Sequence, residues 1–400
     1  MSPASPILIV GGGLVGASLA IALDAAGIPA TLVEATAPRV ADQPSYDERN
    51  LALARATVNG LDAIGVWEFA RATPITHIHT SRAGDFGSVR MDAATEGVDA
   101  LGWTLPAREL GEALLRRLDT CRLLTRMAPA RVERIEPVEG GWLATISGAE
   151  GSTQVRSPLI VGADGTQSGI RAQLGIATRE YDYAQALFVS TMMPARDPQG
   201  RAFERFTDEG PVAVLPLAER RIGVVLTVSA DRADEVAALD DNAFAAFAQE
   251  RFGWRLGRLS RPGKRVPYPI RRVAAEVLTS DRAVLVGNAA QTVHPIGAQG
   301  FNLGLRDALT LAELVAAGGD PGDAALLAEY AKRRAPDREG TMAMSHGLVR
   351  LACLEQPLLG PLRSLAMLAL DRVPPLRHAL SRRGMGFREN APFAVREKTP

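Results

Sequence analysis

The chain has 400 residues, 46% of them hydrophobic and 22% charged. That length exceeds one small core and predicts two closely packed domains. Forty-five basic residues balance forty-five acidic ones, so no global field favours nucleic acid. Two cysteines, Cys121 and Cys353, make neither a disulfide framework nor a thiolate metal site and fit a reducing cytoplasm. The N-terminus has no basic region ahead of its first apolar run, unlike a secretory signal. No uninterrupted apolar stretch reaches about 18 residues, so no spanning helix is expected.

The first element is an apolar run, Pro6–Val10, with the composition of a buried parallel strand. Gly11, Gly13 and Gly16 follow in the spacing G-x-G-x-x-G. Gly11 suits a tight turn, Gly13 the approach of a pyrophosphate, and Gly16 the packing of a helix on the strand. That helix runs from Leu14 to about Ala26, is rich in small residues, and stops at Gly27. A second strand, Ala30–Val33, ends in Glu34, where an acid accepts the ribose hydroxyls of an adenosine.

Further along, His77-x-His79 has two histidines on one strand face, but nothing completes a metal site and a structural role is expected. Arg108–Leu118 has helical spacing, and Val132–Ile135 with Trp142–Ile146 read as a meander around Gly140-Gly141. A strand at Leu159–Val161 leads into the second glycine stretch, IVGADGTQSGIR at Ile160–Arg171. There Asp164 either caps the following turn or orients groups beside a pyrophosphate. Strands are predicted at Ala186–Met192, Ala202–Phe206, Val212–Leu217, Ile222–Val228 and Lys264–Pro269, with a helix from Asp241 to about Phe252. A third stretch, Val284–Ala308, holds a strand (Ala283–Val286), a turn at Gly287-Asn288, and a second turn at Gly297–Gly300 that opens a helix from Phe301. Backbone N–H groups at that helix start suit a polarised carbonyl or an anionic ring. His294 reads either as an acid–base group or as a local hydrogen-bonding residue. From Ala308 onward the chain reads as helical.

The expected fold is therefore α/β with an α+β insert: a Rossmann-like domain, an interleaved, mostly antiparallel β-sheet domain and a helical C-terminus. The divisions are 1–75, 100–178 and 276–340 for the first, 76–99 and 179–275 for the second, and 341–400 for the last.

The three glycine stretches with Glu34 resemble the FAD-dependent aromatic hydroxylases of the p-hydroxybenzoate hydroxylase type. Within that group the chain is similar to the ubiquinone-biosynthesis branch, most of all the 2-polyprenyl-6-methoxyphenol hydroxylase type. Asp47–Leu53, Gly210–Leu217 and Gly287–Pro295 carry the likeness to the branch. The resemblance implies that Gly11, Gly13, Gly16 and Glu34 hold the ADP half of FAD. It also implies that Arg49, Arg108, Asp164, Asn288, Gly300 and Asn302 contact the cofactor, and that Pro295, Gly297 and Gly300 line the flavin ring. Asn288 stands where the superfamily usually has Asp, and Gly297-Ala298 where Ala-Gly is more usual.

The implied reaction is NAD(P)H reduction of FAD, or reduction by a protein donor, then oxygen addition as a hydroperoxide and attack on an electron-rich phenol. No second G-x-G-x-x-G provides a stable nicotinamide site, so a transient encounter is expected. The implied partners are O2, a prenylated phenol and other ubiquinone-biosynthesis proteins; no metal is expected, and the oligomeric state is left open. The alternatives are another flavoenzyme of this fold (a prenyl reductase or a halogenase) and a non-enzymatic prenyl-binding chaperone. The C-terminal region is apolar (Leu348, Leu351, Leu358, Leu359, Leu362, Leu365, Leu368, Leu370) and rich in arginine (Arg350, Arg363, Arg372, Arg377, Arg382, Arg383). It is broken by Pro357, Pro361, Pro374 and Pro375. It reads as a helical layer on the main domain or a second subunit, or as a peripheral contact with the inner membrane face.

Overall fold

A computed structural model describes residues 5–37, 43–353, 359–388 and 390–396, with the side chains of 266, 349–353 and 359 left aside. The run Ile7–Val10 is a strand buried on both faces, as its unbroken apolar sequence requires. It pairs in parallel with Ala30–Val33 on one side and Ile160–Gly162 on the other. Leu124–Met127 and Ala283–Leu285 extend these parallel pairings, and Thr279–Ser280 adds an antiparallel edge. Among the described residues this makes six strands, starting from Thr279–Ser280 and ending at Leu124–Met127.

The helices Leu14–Ala25, Ala107–Leu118 and Gln299–Ala316 supply the core that packs with this sheet. Leu19, Ile21, Leu110, Leu114 and Leu305 are excluded from solvent there, each burial stabilising by about 1.5–3 kcal/mol. Gly304 and Gly287 make close helix packing possible: a Cβ on Gly304 would lie 2.7 Å from the Val15 side chain and 3.0 Å from the Gly287 Cα.

A second, larger sheet runs through Val266–Ala275, Thr178–Pro194, Ile222–Ser229, Gly210–Pro216, Arg201–Thr207, His77–Arg82 and Ser88–Asp92. Most of it is antiparallel, but Arg201–Thr207 pairs in parallel with His77–Arg82. Strand alternation gives the sheet two unlike faces. Phe188, Phe203, Val214, Val224 and Leu226 face the helix Asp241–Phe252, which contributes Phe244 and Phe252 to a shared core. Smaller sheets consist of Ala130–Val138, Gly141–Gly148 and Gly151–Ser157, and of Asn50–Ala54, Gly102–Pro106 and Thr73–Ile75.

Several expected boundaries move. The strand expected at Lys264–Pro269 spans Val266–Ala275, since its pairing with Thr178–Pro194 resumes beyond an irregularity between Asp182 and Ala186. The helix expected from Phe301 begins two residues earlier, at Gln299, because Gly297 at φ 65° and Ala298 at φ 49° turn the chain just before it. Beyond it come the helices Ala324–Cys353, Leu359–Arg372 and Pro374–Gly384. Pro361 sits in the first turn of its helix, where the missing N–H costs nothing, and so does not break it. Pro374 and Pro375 open the last helix for the same reason. Pro357 and Leu358 lie outside the described residues. Among the described residues no helix is long and apolar enough to cross a membrane.

A buried ionic cluster locks the helix Gln299–Ala316 to its neighbour. Arg306 donates to Asp337 at 2.6 Å, Arg334 to Asp307 at 2.7 Å and to Asp337 at 2.9 Å, and Arg388 to Asp337 at 3.1 Å. Burial alone would push the Asp337 carboxyl up, but the guanidinium groups of Arg306 and Arg334 hold it well below the usual carboxylate range.

Candidate active site

Three adjacent parallel strands, Ala283–Leu285, Ile160–Gly162 and Ile7–Val10, each run at their carboxyl end into one of the glycine stretches. Ligands of open α/β sheets collect at this edge. The turns are stitched together by the Ala163 N–H donating to Val10 O at 2.8 Å and the Val286 N–H donating to Gly162 O at 3.0 Å.

The first turn is as tight as its glycines suggest. Gly11 has φ 104°, and a Cβ on Gly16 would lie 1.9 Å from the Gly11 carbonyl oxygen. Any side chain there would part the helix from the strand. Gly13 differs: its φ of −66° suits any residue, and a Cβ would meet only Ser45, at 3.2 Å. It leads the helix Leu14–Ala25, whose N-terminus has no side-chain cap. Its N–H groups therefore face the cleft with the positive end of the helix dipole.

Glu34 lies beside this turn, its carboxylate accepting from the Gly12 N–H at 2.5 Å and the Thr36 N–H at 2.9 Å. Tyr46 donates its hydroxyl to the Gly12 carbonyl at 3.2 Å. Burial, with the Glu34 charge in support, holds that phenol protonated well above its ordinary range. Gly12, Glu34, Tyr46 and Arg126 share one cleft. Sequence reasoning missed Tyr46 and Arg126, which no local motif marks.

Arg49 and Arg108 come together where the Arg108 N–H donates to the Asp47 carbonyl at 3.0 Å. Arg49 pairs with Asp47 at 2.6 Å and lies 5.7 Å from the Tyr268 ring centre, while Arg108 pairs with Glu48 at 2.8 Å. Asp164 caps the short helix after its turn, accepting from the Ile170 N–H at 3.0 Å and from the Ser168 hydroxyl. Arg171 then reaches the third stretch, donating to the Ala289 carbonyl at 2.9 Å.

In the third stretch Asn288 is exposed, on a single helical turn at Gly287–Ala289. Asp307 anchors this turn, accepting from the Gly287 N–H at 3.2 Å and the Gln291 amide at 2.7 Å. Asn302 spends its side chain inside the protein: it accepts from the Ala54 N–H and the Thr57 hydroxyl and donates to the Ala52 and Ala298 carbonyls. It thereby ties strand Asn50–Ala54 to the Gly297–Gly300 turn. Gly300 has nothing within 4 Å of where a Cβ would be. The helix it opens has no side-chain cap either.

His294 is buried, accepts from the Ile296 N–H at its Nδ1 (3.1 Å), and places its Nε2 3.4 Å from the Gln185 side-chain oxygen. Burial pulls its pKa down to about 4. It is a neutral ring that shapes the Pro295–Gly297 turn. His77 pairs with Asp92 at 2.8 Å and His79 packs against Phe203, so the two histidines are engaged separately.

The residues present fit a flavin dinucleotide: an open, uncapped helix N-terminus behind a glycine, an acid at the end of the second strand, and a second uncapped helix start at Gln299. The comparisons with known proteins agree. The family described as FAD binding domain matches residues 4–345. The ubiquinone hydroxylase UbiL of Rhodospirillum rubrum is 38% identical over 388 residues, covering 95% of this chain and 89% of that protein. The 3-demethoxyubiquinol 3-hydroxylase of Escherichia coli is 30% identical over 394 residues, covering 95% and 98%. Among solved structures, p-nitrophenol 4-monooxygenase PnpA from Pseudomonas putida superimposes with a TM-score of 0.79 at 19% identity, covering 97% of this chain and all of that one. The chain thus belongs to the FAD binding domain family, as a flavin-dependent monooxygenase of the ubiquinone hydroxylase branch.

Proposed function

We propose that this protein hydroxylates the ring of a prenylated phenol in ubiquinone biosynthesis, with FAD as its cofactor. The observation that carries the reading is the convergence of three glycine turns at the ends of adjacent parallel strands, beside an uncapped helix N-terminus. Gly11 and Gly16 shape the first turn, Gly13 leaves room for the pyrophosphate, and Glu34 serves the ribose. Arg49, Arg108, Asp164 and Asn288 would flank the remainder, with Asn302 holding the Gly297–Gly300 turn in place. Pro295, Gly297 and Gly300 would face the ring system. FAD, when bound, would supply the redox chemistry that activates O2 for oxygen transfer. The protein's part is to position the phenol and exclude water.

The larger sheet and segment 76–99 form the substrate-binding part in this reading, and the remainder to residue 340 the cofactor-binding part. The reductant is NAD(P)H met transiently, or a protein donor. A prenyl tail favours access from a lipid surface, and the exposed Leu362, Leu365, Val373, Leu376 and Phe86, near Arg372 and Arg377, suit peripheral contact at the inner membrane face. Liposome sedimentation of a Leu362→Glu, Leu365→Glu variant tests this, since undiminished sedimentation would remove that surface from consideration.

Gly13→Val tests the cofactor reading. The backbone tolerates valine and the nearest neighbour is the Ser45 side chain, so the fold should persist while the pyrophosphate position fills. The expected result is a folded protein without flavin absorbance. A variant that purifies with full flavin would overturn the assignment.

A further inference from the structure

The larger sheet turns its second face, the one away from helix Asp241–Phe252, toward the Pro295–Gly297 turn. Between them lies a small cleft of about 20 Å³, lined by Leu187, Glu204, Val225, Thr227, Pro295 and Ile296 among others. Nearly all of this lining is apolar. The two exceptions are a carboxylate and a hydroxyl, and neither has a partner among the described residues. Glu204 forms no hydrogen bond or ion pair among the described residues, and Thr227 is buried with an unsatisfied Oγ1.

We infer that Glu204 is the base that takes the phenolic proton of the substrate. The inference rests on the proposed hydroxylase reading. A phenolic O–H donates to a carboxylate, so it supplies the partner that Glu204 lacks among the described residues. The step balances simply. The phenolic O–H bond breaks, its proton passes to a Glu204 carboxylate oxygen, and the electron pair stays on the phenolic oxygen. Delocalisation of that pair enriches the ortho and para carbons, which is what the incoming oxygen atom requires. The negative charge moves from carboxylate to phenolate and no net charge enters the cavity.

The surroundings suit a base and little else. Thr80 and Ala213 stand directly opposite Glu204 on the two neighbouring strands, and neither is charged. Arg205 falls on the other face by strand alternation, and Arg82, two positions along, is held by Asp85 and Asp208. From the turn side come Pro295, Ile296 and the neutral ring of His294. Among the described residues no cation pairs with it, and burial pushes the Glu204 carboxyl up to about 7, near the value at which a carboxylate exchanges protons at neutral pH.

The test uses the flavin-loaded protein and 2-prenyl-4-fluorophenol, whose fluorine resonance reports ionisation of the phenol without interference from flavin absorbance. Hydroxylation of the probe by the wild type should rise as pH passes through about 7, where Glu204 becomes a carboxylate able to take the phenolic proton. In Glu204→Gln, which keeps shape and removes the base, binding should persist, that rise should vanish, and hydroxylation should fall by roughly 10²–10⁴-fold. Glu204→Asp should restore part of both. If the Gln variant hydroxylates the probe with the rate and pH profile of the wild type, Glu204 is not the base, although the protein remains a hydroxylase. If the wild type itself neither binds nor hydroxylates phenols, the functional reading fails and takes this inference with it.

Discussion

Two acids, Asp337 buried and Glu204 partly buried, lie in opposite circumstances. Asp337 is surrounded by Arg306, Arg334 and Arg388 and held as a carboxylate far below its ordinary range. Glu204 faces a mostly apolar cleft, has no ion-pair partner among the described residues and is pushed up to about 7. The first has every reason to stay charged and none to react, because its charge is already matched. The second is poised to change its proton for want of a match. Burial by itself therefore says little about what a carboxylate does, and the partners left out say more.

The comparison breaks most visibly at the matched acid. Asp337→Asn leaves three guanidinium groups around a neutral amide and should cost about 3–5 kcal/mol, read as a lowered thermal midpoint with the flavin still bound below it. At Glu204 the sign reverses. A folded-state pKa of about 7, above the ordinary 4.5, confers stability that is full below pH 4.5 and lost as pH rises through 7. Glu204→Gln should thus raise the midpoint at pH 8 and leave it unchanged at pH 4, and an equal gain at both would contradict the absence of a partner. His294 sharpens the contrast from the basic side. Its pKa, depressed to about 4 from 6.5, gives stability present above 6.5 and lost as pH falls through 4, so His294→Asn should flatten the decline of the midpoint between those values. The smallest effect belongs to Thr227→Val, which removes a hydroxyl without a partner and should change stability by no more than about 0.5 kcal/mol.

Local chemistry made the nucleotide end legible. Gly11 must turn, Gly16 must touch the strand, and both requirements sit within eleven residues that also contain the strand they serve. The helix Asp241–Phe252 was equally plain, with Asp240 as its N-cap and Gly253 at its end. The sheet cavity was harder to see because its lining comes from distant strands. Glu204 did leave one trace: it interrupts the apolar alternation of Ala202 and Phe206, so a strand there had to turn a carboxylate inward with them. The short strands Asn50–Ala54 and Gly102–Pro106 escaped notice because their pairing joins segments some fifty residues apart and neither alternates clearly. Asn302 illustrates the reverse case. Its position in a motif is readable from sequence, yet the four internal hydrogen bonds that occupy it are visible only in three dimensions.

The pairing of Ala283–Leu285 with Ile160–Gly162 bears on how the molecule is made. Most of the larger sheet lies between these two strands in the chain, so more than a hundred residues must be synthesised before the first sheet acquires this neighbour. Contacts of such sequence separation form late and slowly. The third glycine turn cannot take its place until they do, so a ribosome-bound chain stalled before residue 283 should not yet load flavin. Cofactor capture would then mark the completion of folding rather than its beginning.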